Sequence, residues 1–491
     1  MNDITAFFAF LKYCLGYKEN MSRVIAGMNW HELYSFASKQ ALLGLCFEGI
    51  ERLGEEYPEE LKRNPIGREL LMTWMGKAQQ IHRQNMKVNS VAGKLFSMLR
   101  EDGMRCCVLK GQGNALMYPN PYSRTPGDVD VWIEASRERI LEYAQKKFEL
   151  GDDIRLQHLE TSLDGVPVEL HFFPCSMNNP IYHARLQKWF RRNADLQCSH
   201  IVGLPDGAGD IAIPTTAFNV VYQLTHLYHH FFDEGIGMRQ IIDYFLVVND
   251  FSKNVFLNND LSNHPVNFSN HPVPLSKEGS TFSLSPSSSG SGDVTAPSRC
   301  SEPLRSKDGG PSKVSPDCAG WDRLDAIGAS KVSPDCAGWD RLDAIGASKV
   351  SPDCAGWDRL AIEGDNSATA VTSSASTALV VVQRELKYLG LWKFAGAVMY
   401  VLHKALGLSE EKMIAPMDEK RGKLLLAEIL NGGNFGKHFT KYGHFTQQGM
   451  AKKYFLKIWR NMHFVRYFPA EALSEPIFRT WHFFWRLKHR R

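Results

Sequence analysis

The sequence predicts an α+β protein: a small mixed β-sheet embedded in a mostly helical chain, with a long disordered insertion. Three observations predict it. Between residues 104 and 175, a short apolar run at 106–109 is followed by segments at 128–133, 156–163 and 166–172 in which apolar and polar residues alternate, the two-residue period of strands. On both sides of that stretch, apolar residues recur at three- and four-residue spacing, the period of helices that bury one face. From 251 to about 378, Ser, Pro, Gly, Asn and Asp dominate and the apolar period vanishes, so a packed core is not expected there.

Taken in order, the first hundred residues read as helices. Phe7, Phe8, Phe10, Leu11, Cys14 and Leu15 share helical spacing, as do Leu33, Phe36, Ala37, Ala41 and Leu42. A third helix is expected over about 70–99, with Gly103 placed to end it. Trp30 and Trp74 read as core. Strand 106–109 then runs into Lys110-Gly111-Gln112-Gly113, a glycine-rich turn. After 128–133, Ser136 can cap a helix reaching about 150, and Gly151 can end it. Asp164-Gly165 separates 156–163 from 166–172 and signals a tight hairpin.

Pro214-Thr215-Thr216 opens a further helix. It carries His226, His229, His230 and Asp233 at i, i+3, i+4 and i+7, near one face. The run lacks the glutamate of a metalloprotease motif, so it reads as a packing or substrate-lining face. A turn at 235–239 leads to a helix on which Arg239 and Asp243 can pair at i, i+4. Within the insertion, SKVSPDCAGWDRLDAIGA fills 312–329, repeats identically over 330–347, and begins again at 348 before breaking after 360. Such units offer too few apolar residues to stack into a solenoid. Deleting about 255–375 is therefore expected to leave the fold intact.

Helices resume at 379–389 and 392–406, the latter ended by Gly407. Residues 431–437 are glycine-rich but miss the spacing of a phosphate-binding loop and read as a plain loop. The tail, 452–491, mixes Trp459, Trp481 and Trp485 with many Lys and Arg. It can lie on a membrane surface as an amphipathic helix, or cap a helical bundle with a solvated basic face.

The chain has 491 residues, enough for several domains. A net charge of +4 does not by itself imply nucleic-acid binding. The ten cysteines form no C-x-x-C pair, and free thiols in a reducing cytoplasm are expected. No signal peptide and no uninterrupted apolar window long enough to span a bilayer are read.

The chemistry concentrates around Asp128. On a strand, Asp128 and Asp130 share one face, roughly 7 Å apart. Val129, Val131 and Ile133 point the other way, into a core. Paired carboxylates repel unless a cation sits between them. On 166–172, Glu169 and His171 face opposite to Val168 and Leu170. If that strand lies beside the first, Glu169 completes a three-carboxylate cluster. Hard oxygen ligands of this kind suit magnesium, and two ions about 4 Å apart would clamp the attacking and leaving oxygens of a phosphoryl transfer.

The ordered set (Lys110-Gly111, then Arg124, then Asp128-x-Asp130, then Glu169-Leu170-His171) resembles the polymerase-β-like nucleotidyltransferase superfamily. More narrowly, it is similar to a bacterial nucleotidyltransferase family sharing the order LKG, R, DxD, ELH. The similarity runs over about 1–250 and 385–491. It implies a nucleotidyltransferase core at 104–175, between helical regions 1–103, 176–250 and 379–491. It implies attack of an acceptor hydroxyl on the α-phosphate of a nucleoside triphosphate, with Mg2+ as cofactor, two ions being expected. Asp128, Asp130 and Glu169 would be catalytic and metal-binding. Lys110, Gly111, Gly113 and Arg124 would hold the nucleotide, and His171, His226, His229, Arg239 and Asp243 would line the cleft. One departure is Gln112, which separates two glycines where the superfamily has Gly-Ser or Gly-Gly. A catalytically inactive nucleotide-binding or protein-interaction module remains the alternative, and the acceptor stays open.

Overall fold

The structure, a computed structural model, describes residues 3–150, 155–260, 372–438 and 450–489. The repeats and most of the expected insertion, with Cys300, Cys318, Cys336 and Cys354, lie outside the described residues. In chain order the helices before the sheet are α1 (Asp3–Cys14), α2 (Ser22–Ala26), α3 (Trp30–Lys39), α4 (Leu43–Glu56), α5 (Pro58–Arg63) and α6 (Arg68–Glu101). The sheet region holds β1 (Cys106–Leu109), α7 (Gly111–Ala115), β2 (Val129–Ile133), α8 (Arg137–Lys147), β3 (His158–Leu163) and β4 (Val166–His171). There follow α9 (Pro180–Ser199), β5 (Ile201–Gly203), β6 (Asp210–Ala212), α10 (Thr216–Asp233) and α11 (Met238–Asp260). The remaining helices are α12 (Thr372–Tyr388), α13 (Trp392–Leu406), α14 (Glu419–Gly432), α15 (Met450–Met462) and α16 (Pro469–His489).

The fold is α+β, mostly helical, with a mixed four-stranded sheet ordered β1-β2-β4-β3. β1 and β2 are antiparallel, β2 and β4 parallel, and β4 and β3 form the hairpin. Its turn is Asp164-Gly165, both at positive φ (50° and 71°), the backbone that a two-residue turn matching strand twist requires. Short strands β5 and β6 pair separately.

Side-chain alternation splits the sheet into two faces. Cys106, Val108, Val129, Val131, Ile133, Leu159, Val166, Val168 and Leu170 join one core with α8 and the second half of α6. Cys107, Leu109 and Trp132 turn to the other face and join the large helical core. α6 serves both. Its Trp74 indole donates to the Leu43 carbonyl at 2.9 Å, while Val88 to Leu99 pack under the sheet. At Gly93 the helix passes so close to Ala208 that a Cβ would sit 2.2 Å from its carbonyl oxygen, so only glycine permits the approach.

α10 crosses the second face. Trp132 of β2 lies parallel to Phe218 of α10, with ring centroids 6.3 Å apart and 9° between planes. This packing sets the helix above the polar side chains of β2 and β4. Two expected boundaries shift. α11 continues to Asp260 with Val255 buried in it, and α12 starts at Thr372, so a deletion beginning at 255 would cut a packed helix. α8 stops at Lys147, short of the expected 150. α15 and α16 close the bundle at the carboxyl end of α10: the buried Arg460 donates to the Phe231 carbonyl at 2.8 Å and Asn461 to the Phe232 carbonyl at 3.1 Å. Among the described residues no helix is long and apolar enough to cross a membrane.

Candidate active site

Register brings the acids together. Asp130 on β2 is the parallel neighbour of Glu169 on β4, and alternation puts both on the face beneath α10. Asp128 immediately precedes β2. One carboxylate oxygen from each of Asp128, Asp130 and Glu169 lies within 4.8 Å of the others. Asp130 is 4% exposed, Glu169 half-buried, and Asp128 opens to solvent.

Three acids so close need positive partners, and two are present. Lys110 Nζ lies 3.0 Å from Asp130 Oδ1 and 2.9 Å from His226 Nε2 on α10. Its backbone holds φ 53° and ψ −134°, a region that costs a non-glycine residue about 1–3 kcal/mol. The short β1–α7 junction imposes it, and the ammonium is thereby aimed at the acids. His171 Nε2 lies 2.9 Å from Asp130 Oδ1 and 3.2 Å from Glu169 Oε2, bridging the two carboxylates.

The titration behaviour follows from this crowding. Burial opposes the Asp130 charge, but Lys110 and His171 overcome it and hold the carboxyl well below the usual carboxylate range. Burial likewise opposes charge on Lys110, and Asp130, Asp128 and Glu169 together raise its pKa. Burial alone would lower the His171 pKa, yet the hydrogen bonds with Asp130 and Glu169 lift it to about 9. Asp128 is pushed up to about 7, first by Asp130, then by desolvation and by Glu169. Although the residue as a whole is exposed, its carboxyl sits in crowded acidic surroundings.

The Asp128 shift has a testable sign. Folded Asp128 holds its proton more tightly than the unfolded chain does. Its contribution to stability is fully present below about pH 4 and is lost as pH rises through about 7. In EDTA, wild type should fall behind Asp128→Asn as pH rises from about 5 to about 8, and the two should converge near pH 4. Thermal unfolding across that range checks it, and parallel curves would rule the repulsion out.

The other expected site residues divide. Gly111 sits at φ 38° directly after Lys110, with the Asp128 carbonyl 3.8 Å from where a Cβ would lie. Gly113 lies instead inside α7, where a Cβ would come 2.9 Å from an Ile213 methyl. Its missing side chain lets α7 pack against Ile213. Arg124 pairs with an acid of α11. It is 4% exposed, and its Nε and Nη2 donate to the two Asp243 oxygens at 2.8 Å each. Both arms of that bidentate fork thus face the Asp243 carboxylate. Tyr118 donates to the same carboxylate at 2.8 Å.

Asp243 therefore pairs with Arg124 and not with Arg239. The latter donates to the Thr125 carbonyl at 3.0 Å. His226 reaches the site through Lys110, and His230 Nε2 follows at 3.0 Å from His226 Nε2. His229 packs edge-on against His230, ring centroids 5.6 Å apart, and Asp233 pairs with Lys457 and Arg479, at 3.0 and 2.9 Å. Two site residues escaped the sequence reading. His158 Nδ1 lies 3.4 Å from Glu169 Oε2. Gln157 places its amide nitrogen 3.3 Å from His171 Nδ1 and 3.0 Å from the Pro174 carbonyl. The signal for His158 was present, because counting back from the Asp164-Gly165 turn pairs it with His171.

The donor set fits a hard divalent cation. Asp128, Asp130 and Glu169 offer carboxylate oxygens at mutual distances one or two ions can bridge, and the acids repel without one. His158, Glu169 and His171 form a second converging group that shares Glu169.

Residues 26–262, just under half of the chain, match the model of a family described as an uncharacterised nucleotidyltransferase. The match supports a nucleotidyltransferase family for that part. A crystal structure of an antigenic nucleotidyltransferase-like protein from Paracoccidioides brasiliensis aligns at 16% identity, covering 33% of this chain and 75% of that one. Its TM-score of 0.22 is too low to bear on fold or activity. No curated protein sequence matches.

Proposed function

We propose that the protein is a metal-dependent nucleotidyltransferase that moves a nucleoside monophosphate from a nucleoside triphosphate to an acceptor hydroxyl. The convergence of Asp128, Asp130 and Glu169 within 4.8 Å carries the reading. Asp128 and Asp130 would hold Mg2+ against the triphosphate, and Glu169 would complete a second ion's shell. Bound there, magnesium would neutralise phosphate charge and polarise the α-phosphate. The chain's own residues do the rest. His171 keeps the Asp130 and Glu169 carboxylates aligned through Nε2. Lys110, whose ammonium stands 3.0 Å from Asp130 at the edge of the acids, would place its charge on the phosphates. Glu169, still reached by solvent, accepts the proton of the attacking hydroxyl. In-line alignment of acceptor and pyrophosphate supplies the remaining advantage.

A second reading is an inactive nucleotide-binding module. The commitment of Arg124 to Asp243 favours it, since one expected phosphate ligand is occupied. Incubation with each α-labelled nucleoside triphosphate, Mg2+ and a cell extract, followed by mass spectrometry, separates the two. Pyrophosphate release with a labelled product supports the transferase. Nucleotide binding without either supports the module.

A further inference from the structure

Arg239 is a cation in surroundings that disfavour one. It stands in the first turn of α11, at the positive end of the helix, and it is only 8% exposed. Its Nη1 donates to the Thr125 carbonyl at 3.0 Å, whereas its Nε is buried and has no hydrogen-bond partner among the described residues. The nearest acid along α11 is already engaged: both Asp243 oxygens accept from Arg124, and Oδ1 accepts from Tyr118 as well. Two buried guanidinium groups thus face one carboxylate, and a neutral carbonyl cannot balance the second. Burial, and then the Arg124 charge, lower the Arg239 pKa against the pull of Asp243, Tyr118 and Asp128.

A second element holds this side chain in place. Residues 431–437, a plain loop by sequence, bring Phe435 over the guanidinium, with Cζ 5.5 Å from the ring centroid. Phe435 adopts φ 53° between Gly433 and Gly436, at 63° and 64°, a left-handed backbone that is unfavourable for an aromatic residue. A ring against the face of a guanidinium fixes its plane and leaves the in-plane N–H groups to donate. Thr125, which accepts from Nη1, lies three residues before Asp128, and the Asp128 charge is felt at Arg239. The unmatched cation therefore stands beside the acids.

We propose that Arg239, clamped by Phe435, is an oligophosphate-binding residue that grips the terminal phosphates of the nucleoside triphosphate. The inference rests on the reading of the acids as a nucleotide site and deepens it. A phosphate accepts two N–H groups of one guanidinium in a planar fork, and its negative charge matches the excess at Arg239. A buried charge without a counter-ion lowers the stability of the free protein, which a binding site tolerates because its ligand supplies the missing charge.

The test is binding, read apart from turnover. The full chain in Mg2+ is titrated with inorganic tripolyphosphate and with a short single-stranded RNA, by calorimetry. Wild type is expected to bind tripolyphosphate, and Arg239→Met to bind it at least about tenfold more weakly, with thermal unfolding unchanged or raised because an unmatched buried cation is gone. Should Arg239→Met unfold at a lower temperature, Arg239→Lys decides, since it keeps the charge and loses the fork: wild-type affinity there overturns the proposal, and a loss of about threefold or more supports it. Equal tripolyphosphate affinity in wild type and Arg239→Met overturns it, as does a loss confined to RNA or no binding to wild type, while pyrophosphate release still judges the transferase. Affinity lost in Arg239→Met, in a protein that releases no pyrophosphate, upholds the inference and removes the transferase reading.

Discussion

Asp130→Asn is expected to lower nucleotidyl transfer at least about a thousandfold, a loss of ~4 kcal/mol in transition-state stabilisation. Asparagine keeps the shape of the side chain and removes one charge. Asp130 is the acid on which the site converges: it faces Glu169 across the parallel pair, and Lys110 and His171 both reach its Oδ1. Losing its charge weakens the grip on any cation shared with Asp128 and leaves two cationic groups facing a neutral amide. Steady-state kcat/KM, measured beside thermal unfolding, distinguishes lost chemistry from lost fold. A folded variant within about tenfold of wild type would remove Asp130 from the chemistry.

The second large effect concerns stability. Asp243→Ala is expected to cost about 3–5 kcal/mol, because it leaves the Arg124 guanidinium buried without its carboxylate. Both side chains are almost wholly buried, at 4% and 6% exposure. They join the loop before Asp128 to α11, with Tyr118 as a third member. The apolar double variant Arg124→Met/Asp243→Leu should recover most of the loss, since removing a whole buried pair is far cheaper than removing half of it. Urea unfolding measures both. If Arg124 served phosphate instead, Asp243→Ala would leave stability nearly unchanged and the double variant would lose nucleotide affinity.

β2 and β4 were legible because apolar and acidic residues alternate along them, β1 because it is a short apolar run, and the hairpin because its turn chemistry is explicit. Val129, Val131 and Ile133 against Asp128 and Asp130 could be sorted by period alone, and Asp164-Gly165 set the register that delivers Glu169. What the sequence hides is long-range pairing. Lys110 meets His226, and Arg124 meets Asp243, across more than a hundred residues, and no local period signals either. Arg239 looked like the natural partner of Asp243 at i, i+4, yet the bidentate geometry of Arg124 won. The proximity of Ile213 to Gly113 is likewise invisible in the local sequence. The tail misleads for a different reason. An apolar period ordinarily marks the buried side of a helix, whereas in α15 and α16 ion pairs and carbonyl contacts hold the charged side in.

Binding of Mn2+, followed by its electron paramagnetic resonance signal, tests the three-acid centre directly. Saturable binding to the wild type, weakened at least about tenfold in each of Asp128→Asn, Asp130→Asn and Glu169→Gln, is the result expected if all three oxygens share the ion. Binding of equal strength in wild type and all three variants, each verified as folded, would contradict it.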